Sequence, residues 1–459
     1  MIKDTICAIA TGLTSSGISI IRVSGPSALS IVDSLFVNSK NEHVLSSIES
    51  HTMRYGFLLD GEKIIDEVLV SYFKGPRSFT AEDTVEINCH GGIFVTNQIL
   101  ELVVKNGARL ASPGEFTKRA FLNGRIDLTK AEAVMDVISS ENALSLRSSI
   151  SQLRGSVYNL IKGIRSDIIY EIAFIESALD DPEHISLDGY REKLRKTVDL
   201  NINRVNELIK SADTGRLIKD GIKTVIVGKP NAGKSSILNM ISGTDRAIVT
   251  DIAGTTRDII EEKIRLGDVN LLLYDTAGIR DSDDIVEQIG VKKALEYSKD
   301  ADLIIYVVDS STVLDDNDIH IQSILKDKKS LVLYNKSDLE SKVSIEDIEK
   351  LLPGIAVIKT SAILEEGLDE LSLVIKDMFV KKEIQNSNEV VITSLRQKES
   401  LMNAKASLEQ VLVSLDNDMP EDFYSIDLMS AYSYLGNIIG EEISDDLVNE
   451  IFSKFCMGK

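Results

Sequence analysis

Short apolar runs and turn residues alternate over the first part of the chain, residues 1–121. The β-branched runs cover residues 17–23, 67–72 and 84–88, and turn pairs such as Asp60-Gly61 and Gly75-Pro76 separate them. One stretch of helical spacing, residues 92–105, interrupts the series. Runs of this length bounded by Gly, Pro and Asp are typical of strands. The pattern predicts an α+β domain over residues 1–121.

A helical period follows over residues 122–217 and returns over residues 380–459. Pro182 and Gly189 interrupt the first of these stretches. The apolar positions that recur three and four apart are Leu128, Ala131, Val134, Met135, Ile138, Ile161, Ile164, Ile168, Ile172 and Ile175. Such spacing predicts amphipathic helices. We favour one discontinuous α-helical domain, because neither flank of the intervening segment has an obvious flexible linker. Two independent helical modules are the alternative.

Residues 218–379, between the helical stretches, alternate apolar strands with helices. The strands are predicted at residues 223–227, 270–274, 302–308, 330–334 and 355–359. Strands that alternate with helices indicate a doubly wound α/β fold with a mostly parallel sheet. We therefore predict that an α/β domain is inserted over residues 218–379.

Composition places the chain among ordinary globular proteins, with 43% hydrophobic and 27% charged residues in 459. Its apolar runs stay short of the roughly 20 residues that span a membrane, so no membrane role is expected. The first residues are too interrupted for a signal peptide. Cys7, Cys89 and Cys456 form a scattered, odd set, which favours a reducing cytoplasm over a disulfide framework.

The net charge of −21 argues against a simple polyanion binder, since affinity for nucleic acid depends on Lys and Arg at the phosphates. Residues 1–120 carry 11 Lys and Arg against 13 Asp and Glu, so most of the acidity lies beyond them. A role on RNA would require a local basic patch or a partner that supplies one.

The sequence Gly-Lys-Pro-Asn-Ala-Gly-Lys-Ser at residues 228–235 directly follows an apolar run. Two glycines, four spacers, Lys and Ser between a strand and a helix form a phosphate-binding loop. Backbone N–H groups and the helix N-terminus meet the phosphates. Lys234 supplies a charge to the β- and γ-phosphates, and Ser235 ligates Mg²⁺. The residues expected around the phosphates are Asn231, Ala232, Gly233, Lys234, Ser235 and Ser236.

Three further sequence elements follow later strands, and together they predict that the nucleotide is GTP. Asp275 of Asp-Thr-Ala-Gly (residues 275–278) is placed near the Mg²⁺ shell, and the Gly278 N–H near the γ-phosphate. Asp338 can accept hydrogen bonds from guanine N1 and N2, which adenine cannot supply. Ser361 and Ala362 are expected to complete the base pocket. The other nucleotide-binding residues predicted from these three elements are Asp275, Thr276, Ala277, Gly278, Asn335, Lys336 and Asp338.

The segment Gly-Thr-Thr-Arg-Asp at residues 254–258 has the character of a switch that responds to the γ-phosphate. Thr256 is placed to complete the Mg²⁺ shell. Arg257 is open to two interpretations, an arginine finger in cis or, by preference, a salt bridge to Asp258 or Glu261. Ile279 stands where many small GTPases have a water-orienting Gln, so another residue must orient the water.

These elements, with Asp-Thr-Ala-Gly-Ile-Arg at residues 275–280, resemble the TrmE-Era-EngA group of GTPases. This resemblance implies that the inserted α/β domain is a Ras-like G domain with a phosphate-binding loop. Three further segments narrow the resemblance to the MnmE (TrmE) family of tRNA modification GTPases. They are Ser-Phe-Thr-Ala-Glu-Asp (78–83), Pro-Gly-Glu-Phe-Thr with Arg-Ala-Phe-Leu-Asn-Gly (113–117 and 119–124), and Phe-Cys-Met-Gly-Lys (455–459). The resemblance covers essentially the whole chain.

This resemblance implies a K⁺-stimulated GTPase, a homodimer through a folate-binding N-terminal domain, and an FAD-containing partner, MnmG. Together the partners would add an aminomethyl or carboxymethylaminomethyl group at C5 of the tRNA wobble uridine. The carbon would come from 5-formyltetrahydrofolate or a related tetrahydrofolate. The partner would make most of the contacts with tRNA, which is consistent with the acidic net charge of this chain.

Carried over by position, the resemblance places K⁺ on Asn231, the carbonyls of Thr250 and Ile252, and Thr255. A monovalent cation beside the phosphates can replace an arginine finger, a device worth about 10³–10⁵ in rate. Glu287 matches the residue that orients water, acting through a second water. The matched nucleotide-binding residues of this region are Thr250, Asp251, Ile252, Ala253, Gly254, Thr255 and Thr256.

The resemblance also implies a folate site at Arg22, Glu82, Arg125 and Lys459. A carboxylate such as Glu82 can pair with the amidine-like edge of a pterin, and the glutamate tail of folate requires cations. Cys456 lies in the shared terminal motif and is linked in the family to the modification chemistry.

Two functions of other classes compete with this interpretation. The first is an Era-like regulatory GTPase in ribosome assembly, which usually appends a basic RNA-binding module; this chain has a near-neutral N-terminal domain instead. The second is a folate-dependent one-carbon transferase in which GTP is only structural. The switch segment and Glu287 argue against it.

Overall fold

A computed structural model describes residues 4–243, 250–251, 261–274, 298–325, 328–379, 390–455 and 458. The chain divides into two compact units. The first comprises Met1–Met135, Leu153–Arg195 and Ala406–Lys459, and the second comprises Asp136–Gln152 and Lys196–Lys405. The predicted domain boundaries at residues 121, 217 and 379 stay predictions.

The first unit contains a sheet built by the N-terminal part of the chain. Its strands are β1 (Ile6–Ile9), β2 (Ile18–Ser24), β3 (Phe36–Val37), β4 (Thr52–Asp60), β5 (Lys63–Phe73), β6 (Thr84–His90) and β7 (Arg109–Leu110). They lie in the order β3-β4-β5-β6-β2-β1-β7. All neighbours are antiparallel except β1 and β7, which are parallel. Alternate residues of β5, such as Val68 and Val70, are buried, as a half-buried strand requires.

Three helices accompany this sheet: α1 (Ala28–Leu35), α2 (Ile93–Lys105) and α3 (Glu115–Leu122), with a short 3₁₀ helix at Leu45–Ser47. The predicted helix at 92–105 is confirmed by α2, but the expectation of a single helix is wrong. Each additional helix spans only eight residues, and so provides about two turns of periodic signal. In α1 the apolar positions do recur at helical spacing, and Ile31 and Leu35 are buried.

Four helices follow: α4 (Leu128–Ile138), α5 (Ala143–Leu153), α6 (Ser156–Asp180) and α7 (Tyr190–Asp220). The gap between α6 and α7 contains Pro182 and Gly189, as the sequence predicts. Gly155 precedes α6 with φ +91°, a left-handed conformation that favours glycine. The buried face of α6 carries Ile161 and Ile168 among other residues at helical spacing.

The second unit contains a mostly parallel sheet. Its strands are β8 (Ile222–Val227), β9 (Thr250–Asp251), β10 (Glu261–Leu266), β11 (Val269–Tyr274), β12 (Leu303–Asp309), β13 (Ser330–Asn335) and β14 (Ala356–Lys359). They lie in the order β14-β13-β12-β8-β11-β10-β9. The first five are parallel, whereas β10 and β9 are antiparallel to their neighbours. The prediction of a doubly wound α/β fold is confirmed.

The helices described around this sheet are α8 (Lys234–Ser242), α9 (Asp316–Leu325), α10 (Ile345–Leu351) and α11 (Leu368–Phe379). One apolar cluster includes Leu238 and Ile241 of α8, Ile375 of α11 and sheet residues such as Ile305 and Leu333. A second cluster includes Tyr306, Val332 and Ile348. The neighbouring residues Ile305 and Tyr306 belong to different clusters, so β12 is buried on both faces, as expected of a central parallel strand.

The chain closes with α12 (Leu395–Asp416), α13 (Glu421–Ile439) and α14 (Asp445–Ser453). In the first unit α13 packs along α6, and the Ser425 hydroxyl donates a hydrogen bond to Glu176 at 2.6 Å. Helical segments from before and after the α/β insertion therefore share one core, which confirms the discontinuous helical domain. Within the described part of the chain, every helix is too short or too polar to cross a membrane.

Candidate functional site

The phosphate loop lies at the carboxyl end of β8. This strand lies between β11 and β12, so the chain continues first on one side of β8 and then on the other. In doubly wound sheets, ligands bind at this switch point. Gly233 caps α8 with φ +93°, and a Cβ atom at this position would lie 2.3 Å from Nδ2 of Asn335. Both facts require glycine. Asn231 also has a positive φ, +58°, which Asn tolerates better than most residues.

Side chains from the end of β13 hold this loop in place. Asn335 Nδ2 donates a hydrogen bond to the Ala232 carbonyl at 2.9 Å. Lys336 Nζ donates to the Asn231 carbonyl at 2.9 Å and to Asp309 Oδ2 at 2.6 Å. The predicted nucleotide residues Asn231, Ala232, Asn335 and Lys336 are thus brought together. Parallel strand ends at one sheet edge produce this convergence.

Asp309 belongs to this cluster but was missed in the sequence interpretation. It ends β12, and its side chain is 8% exposed. Burial alone would raise the pKa of this carboxyl, but hydrogen bonds from Lys336 and Ser311 hold the pKa below its ordinary value. An acidic residue that ends a fully apolar strand was the available signal.

The predicted base pocket brings Asp338 and Ser361 together. The Ser361 hydroxyl donates a hydrogen bond to Asp338 Oδ1 at 2.6 Å and accepts one from the Leu364 N–H at 3.3 Å. Asp338 itself is exposed, so its other oxygen can accept base N–H groups. Ala362 follows directly and packs partly buried against the core of the sheet.

Lys234 begins α8, and its Nζ donates to the carbonyls of Gly228 and Lys229, each at 2.8 Å. The Lys234 ammonium is therefore held within the phosphate loop. Ser235 and Ser236 follow in the first turn of the helix, where N–H groups are unsatisfied by the helix itself.

A second lysine, Lys229, anchors the loop from its other side. Its Nζ donates to Asp318 Oδ2 at 2.8 Å and to the Val313 carbonyl at 3.0 Å. Burial opposes its charge, yet the hydrogen bonds to Asp318 and Asp315 raise the pKa of the ammonium. The loop is consequently tied to the segment after β12.

Many predicted residues of this site lie outside the described residues. They are Ile252, Ala253, Gly254, Thr255, Thr256, Asp275, Thr276, Ala277, Gly278 and Glu287, together with Arg257 and Ile279. Thr250 and Asp251 form the short strand β9, paired with β10.

The predicted folate residues lie in the first unit, around the ring of Phe79. The guanidinium carbons of Arg22 and Arg125 lie 5.6 and 5.2 Å from the centre of this ring. Arg125 Nη1 also donates to the Phe79 carbonyl at 2.7 Å, and burial lowers the pKa of its guanidinium. Arg22 pairs with Glu86 at 2.8 Å. Two cations and an aromatic face are thus assembled.

Glu82 follows Phe79 in the same loop. Its carboxylate accepts a hydrogen bond from the Ser24 hydroxyl at 3.0 Å and contacts from Nη1 of Arg119 at 3.2 and 3.4 Å. Arg119 was quoted from the sequence only as part of a motif, without a role. The helix of Arg119 mixes polar and apolar residues, and no local signal distinguishes Arg119 from Lys118 beside it.

Gly458 lies beside Arg22, one of the predicted folate residues. The Gly458 carbonyl accepts a hydrogen bond from Arg22 Nη1 at 3.3 Å, and a Cβ atom at Gly458 would lie 2.2 Å from the Ile9 carbonyl oxygen. Gly458 also has φ +85°. A side chain at this position is therefore disfavoured both by the contact with Ile9 and by the left-handed backbone conformation. Lys459, its neighbour in sequence, and Cys456 lie outside the described residues.

Comparisons with known proteins cover the whole chain. The profile "MnmE helical domain" matches residues 128–456, and "GTP-binding protein TrmE N-terminus" matches residues 5–125. A tRNA modification GTPase MnmE of Lachnoclostridium phytofermentans is 54% identical over 459 residues, 100% of both chains. One from Clostridioides difficile is 45% identical over 462 residues, again 100% of both. The G domain of a FeoB iron transporter from T. maritima aligns at 30% identity with 34% of this chain and 97% of its own, with a TM-score of 0.26.

Proposed function

The chain belongs to the MnmE family of tRNA modification GTPases, and we propose that it binds and hydrolyses GTP in the course of tRNA modification. One observation carries the nucleotide part of this proposal. Asn335 and Lys336 contact the phosphate loop directly. Asp338, two residues after Lys336, accepts a hydrogen bond from the Ser361 hydroxyl. A phosphate cradle and a guanine-reading carboxylate are therefore linked by a single short segment.

Mg²⁺ and K⁺ are the cations proposed for this site. Ser235 and Asn231 offer a hydroxyl and an amide oxygen, and oxygen donors of this kind suit both ions. Ser235 would hold Mg²⁺ with Thr256, and Asn231 would hold K⁺ with Thr250, Ile252 and Thr255. When bound, the cations neutralise charge that develops on the phosphates. Lys336 supports this arrangement because it fixes the Asn231 carbonyl.

GTP hydrolysis is expected to be at least several-fold faster in KCl than in NaCl at equal ionic strength. The reason is the proposed K⁺ at Asn231, which takes the place of an arginine finger. Steady-state phosphate release with saturating GTP measures the effect. Asn231→Ala should remove the difference between the salts, whereas Asn239→Ala, an exposed residue of α8, should preserve it. Equal rates in both salts for the unaltered protein would exclude the K⁺ proposal.

A tetrahydrofolate is the proposed ligand of the N-terminal domain. Phe79 offers a flat apolar face, Glu82 a carboxylate for the proton-donating edge of a pterin, and Arg22 and Arg125 cations for the glutamate tail. Lys459 is proposed as a further cation, since Gly458 lies against Arg22. When bound, 5-formyltetrahydrofolate would supply the one-carbon unit.

The proposed modification adds an aminomethyl-type group at C5 of the tRNA wobble uridine, together with an FAD-containing partner. The acidic charge of this chain supports a partner that provides most of the contacts to tRNA phosphates. A cytoplasmic location is proposed from the odd, scattered set of three cysteines. Burial raises the pKa of the Cys7 and Cys89 thiols to about 11, so neither is proposed to react. Cys456 is proposed to take part in the modification chemistry.

A homodimer through the N-terminal domain is also proposed. The solvent face of β4 and β5 exposes Met53, Tyr55 and Leu69, and Tyr55 lies directly opposite Leu69 in the register of the two strands. Contiguous exposed apolar residues of this kind mark protein interfaces.

A further inference from the structure

Arg119 lies at the centre of an ion-pair network in the first unit. Its side chain is 0% exposed. Nη1 donates to the Asp4 carbonyl at 2.9 Å and to Glu82 at 3.2 Å, while Nη2 donates to Asp4 Oδ1 at 2.8 Å and to Glu115 at 3.0 Å. A guanidinium can sustain this geometry because its donors are fixed in a plane. One buried cation thus binds three carboxylates.

Arg109 completes the network from its exposed side. It pairs with both oxygens of Glu115, at 2.7 and 3.0 Å, and with Asp4. Burial opposes ionisation of Asp4 and Glu115, but their hydrogen bonds to the two arginines lower the pKa of both carboxyl groups. Arg109 makes no described contact with Glu82. The two cations are therefore shared unequally among the three carboxylates.

Glu82 is the carboxylate that the network compensates least. Its contacts with Arg119 are the longest of the set, and Oε1 accepts only the 3.4 Å contact among the described residues. Its side chain is 15% exposed. Two arginines against three carboxylates leave one excess negative charge in this network.

We propose that Arg119 is a positioning residue that holds the Glu82 carboxylate with Oε1 directed outward, toward the amidine-like edge of a pterin. This inference rests on the folate site proposed above. Arg119 and Ser24 together fix Oε2, through contacts of 3.2 and 3.0 Å. A carboxylate fixed in this way loses little rotamer entropy when the ligand binds. Arg119 itself is buried behind Glu82 and does not touch the ligand.

The test compares two ligands by isothermal titration on the full-length protein. 5-Formyltetrahydrofolate carries the pterin, whereas p-aminobenzoylglutamate carries only the tail. Arg119→Lys keeps the charge but loses the planar fork, and should weaken the pterin-bearing ligand by roughly tenfold to a hundredfold, the loss expected for a hydrogen bond to a charged group. Affinity for p-aminobenzoylglutamate should stay unchanged.

Arg109→Gln is the matched control, because it removes pairs with Asp4 and Glu115 from the same network without touching Glu82. It should lower the melting temperature but preserve affinity for both ligands. Equal loss of both ligands in Arg119→Lys would assign Arg119 a general structural role and overturn the proposal, as would unchanged pterin affinity. Failure of the unaltered protein to bind 5-formyltetrahydrofolate would instead overturn the folate site itself.

Glu82→Asp provides a second test should Arg119→Lys not fold. It keeps the negative charge but withdraws the carboxylate from Arg119 by the length of one methylene, about 1.5 Å. We expect selective loss of affinity for the pterin-bearing ligand, and a loss of similar size in Glu82→Gln, which removes the negative charge altogether. Wild-type affinity in Glu82→Asp would contradict the positioning role.

Discussion

Asp338→Asn is expected to weaken GTP binding by about 10²–10³-fold, because two hydrogen bonds from guanine to a charged acceptor are lost. The same change should improve binding of xanthosine triphosphate, whose base has a carbonyl in place of the 2-amino group. Ser361 donates to Asp338 Oδ1 at 2.6 Å, so an Asn side chain should keep its oxygen there and turn its Nδ2 toward the base. Equilibrium titration with each nucleotide measures both effects.

Glu340→Gln is the control for this change, since it neutralises an exposed carboxylate two residues further along the same loop. It should leave both affinities unaltered. If Asp338→Asn binds GTP as tightly as the unaltered protein does, the guanine-reading role of Asp338 is refuted. Loss of GTP binding without any gain for xanthosine triphosphate would leave that role intact and contradict only the orientation by Ser361.

Glu287→Ala should reduce GTP hydrolysis by about 10²–10³-fold, a range typical for loss of a group that assists proton transfer. Affinity for GTP should remain within about twofold, because the proposed role of Glu287 concerns the attacking water and not the ground-state nucleotide. The residue is needed because apolar Ile279 cannot orient water. Single-turnover hydrolysis and equilibrium binding separate the two quantities.

Asp283→Asn provides the matched control for Glu287→Ala, since it removes a carboxylate four positions earlier in the sequence, at a residue to which the resemblance assigns no role. Hydrolysis should be close to normal in this variant. A normal rate in Glu287→Ala would remove Glu287 from the mechanism, and a parallel loss of GTP affinity would indicate a role in binding instead.

The parts of the site that could be predicted from sequence are local in the chain. The phosphate loop requires particular residue types at fixed spacing, since the backbone must turn tightly around phosphate, and Gly233 shows the reason in its φ and its contact with Asn335. The Asp338 element similarly depends on a few residues after one strand. The five parallel strands of the α/β sheet were predicted to within one residue at each end, because buried parallel strands are short, continuous apolar runs. The two antiparallel strands β9 and β10 were not predicted.

The parts that escaped prediction are pairs of residues far apart in the chain. Arg119 meets Glu82 across 37 positions and Lys336 meets Asp309 across 27, and no periodicity relates such partners. Only the sheet order brings the ends of β12 and β13 together. The helices α1 and α3 were missed for a different reason, because two turns are a weak periodic signal within a strand-rich segment.

The central claim, that this GTPase acts in wobble-uridine modification, is tested most directly by mass spectrometry of tRNA nucleosides. The samples come from a strain that lacks this protein, and from the same strain supplied with the unaltered chain or with Glu287→Ala. We expect the C5-modified wobble uridine to disappear in the deletion strain, to return with the unaltered chain and to remain low with the variant. An unchanged nucleoside profile in the deletion strain would contradict the proposed function.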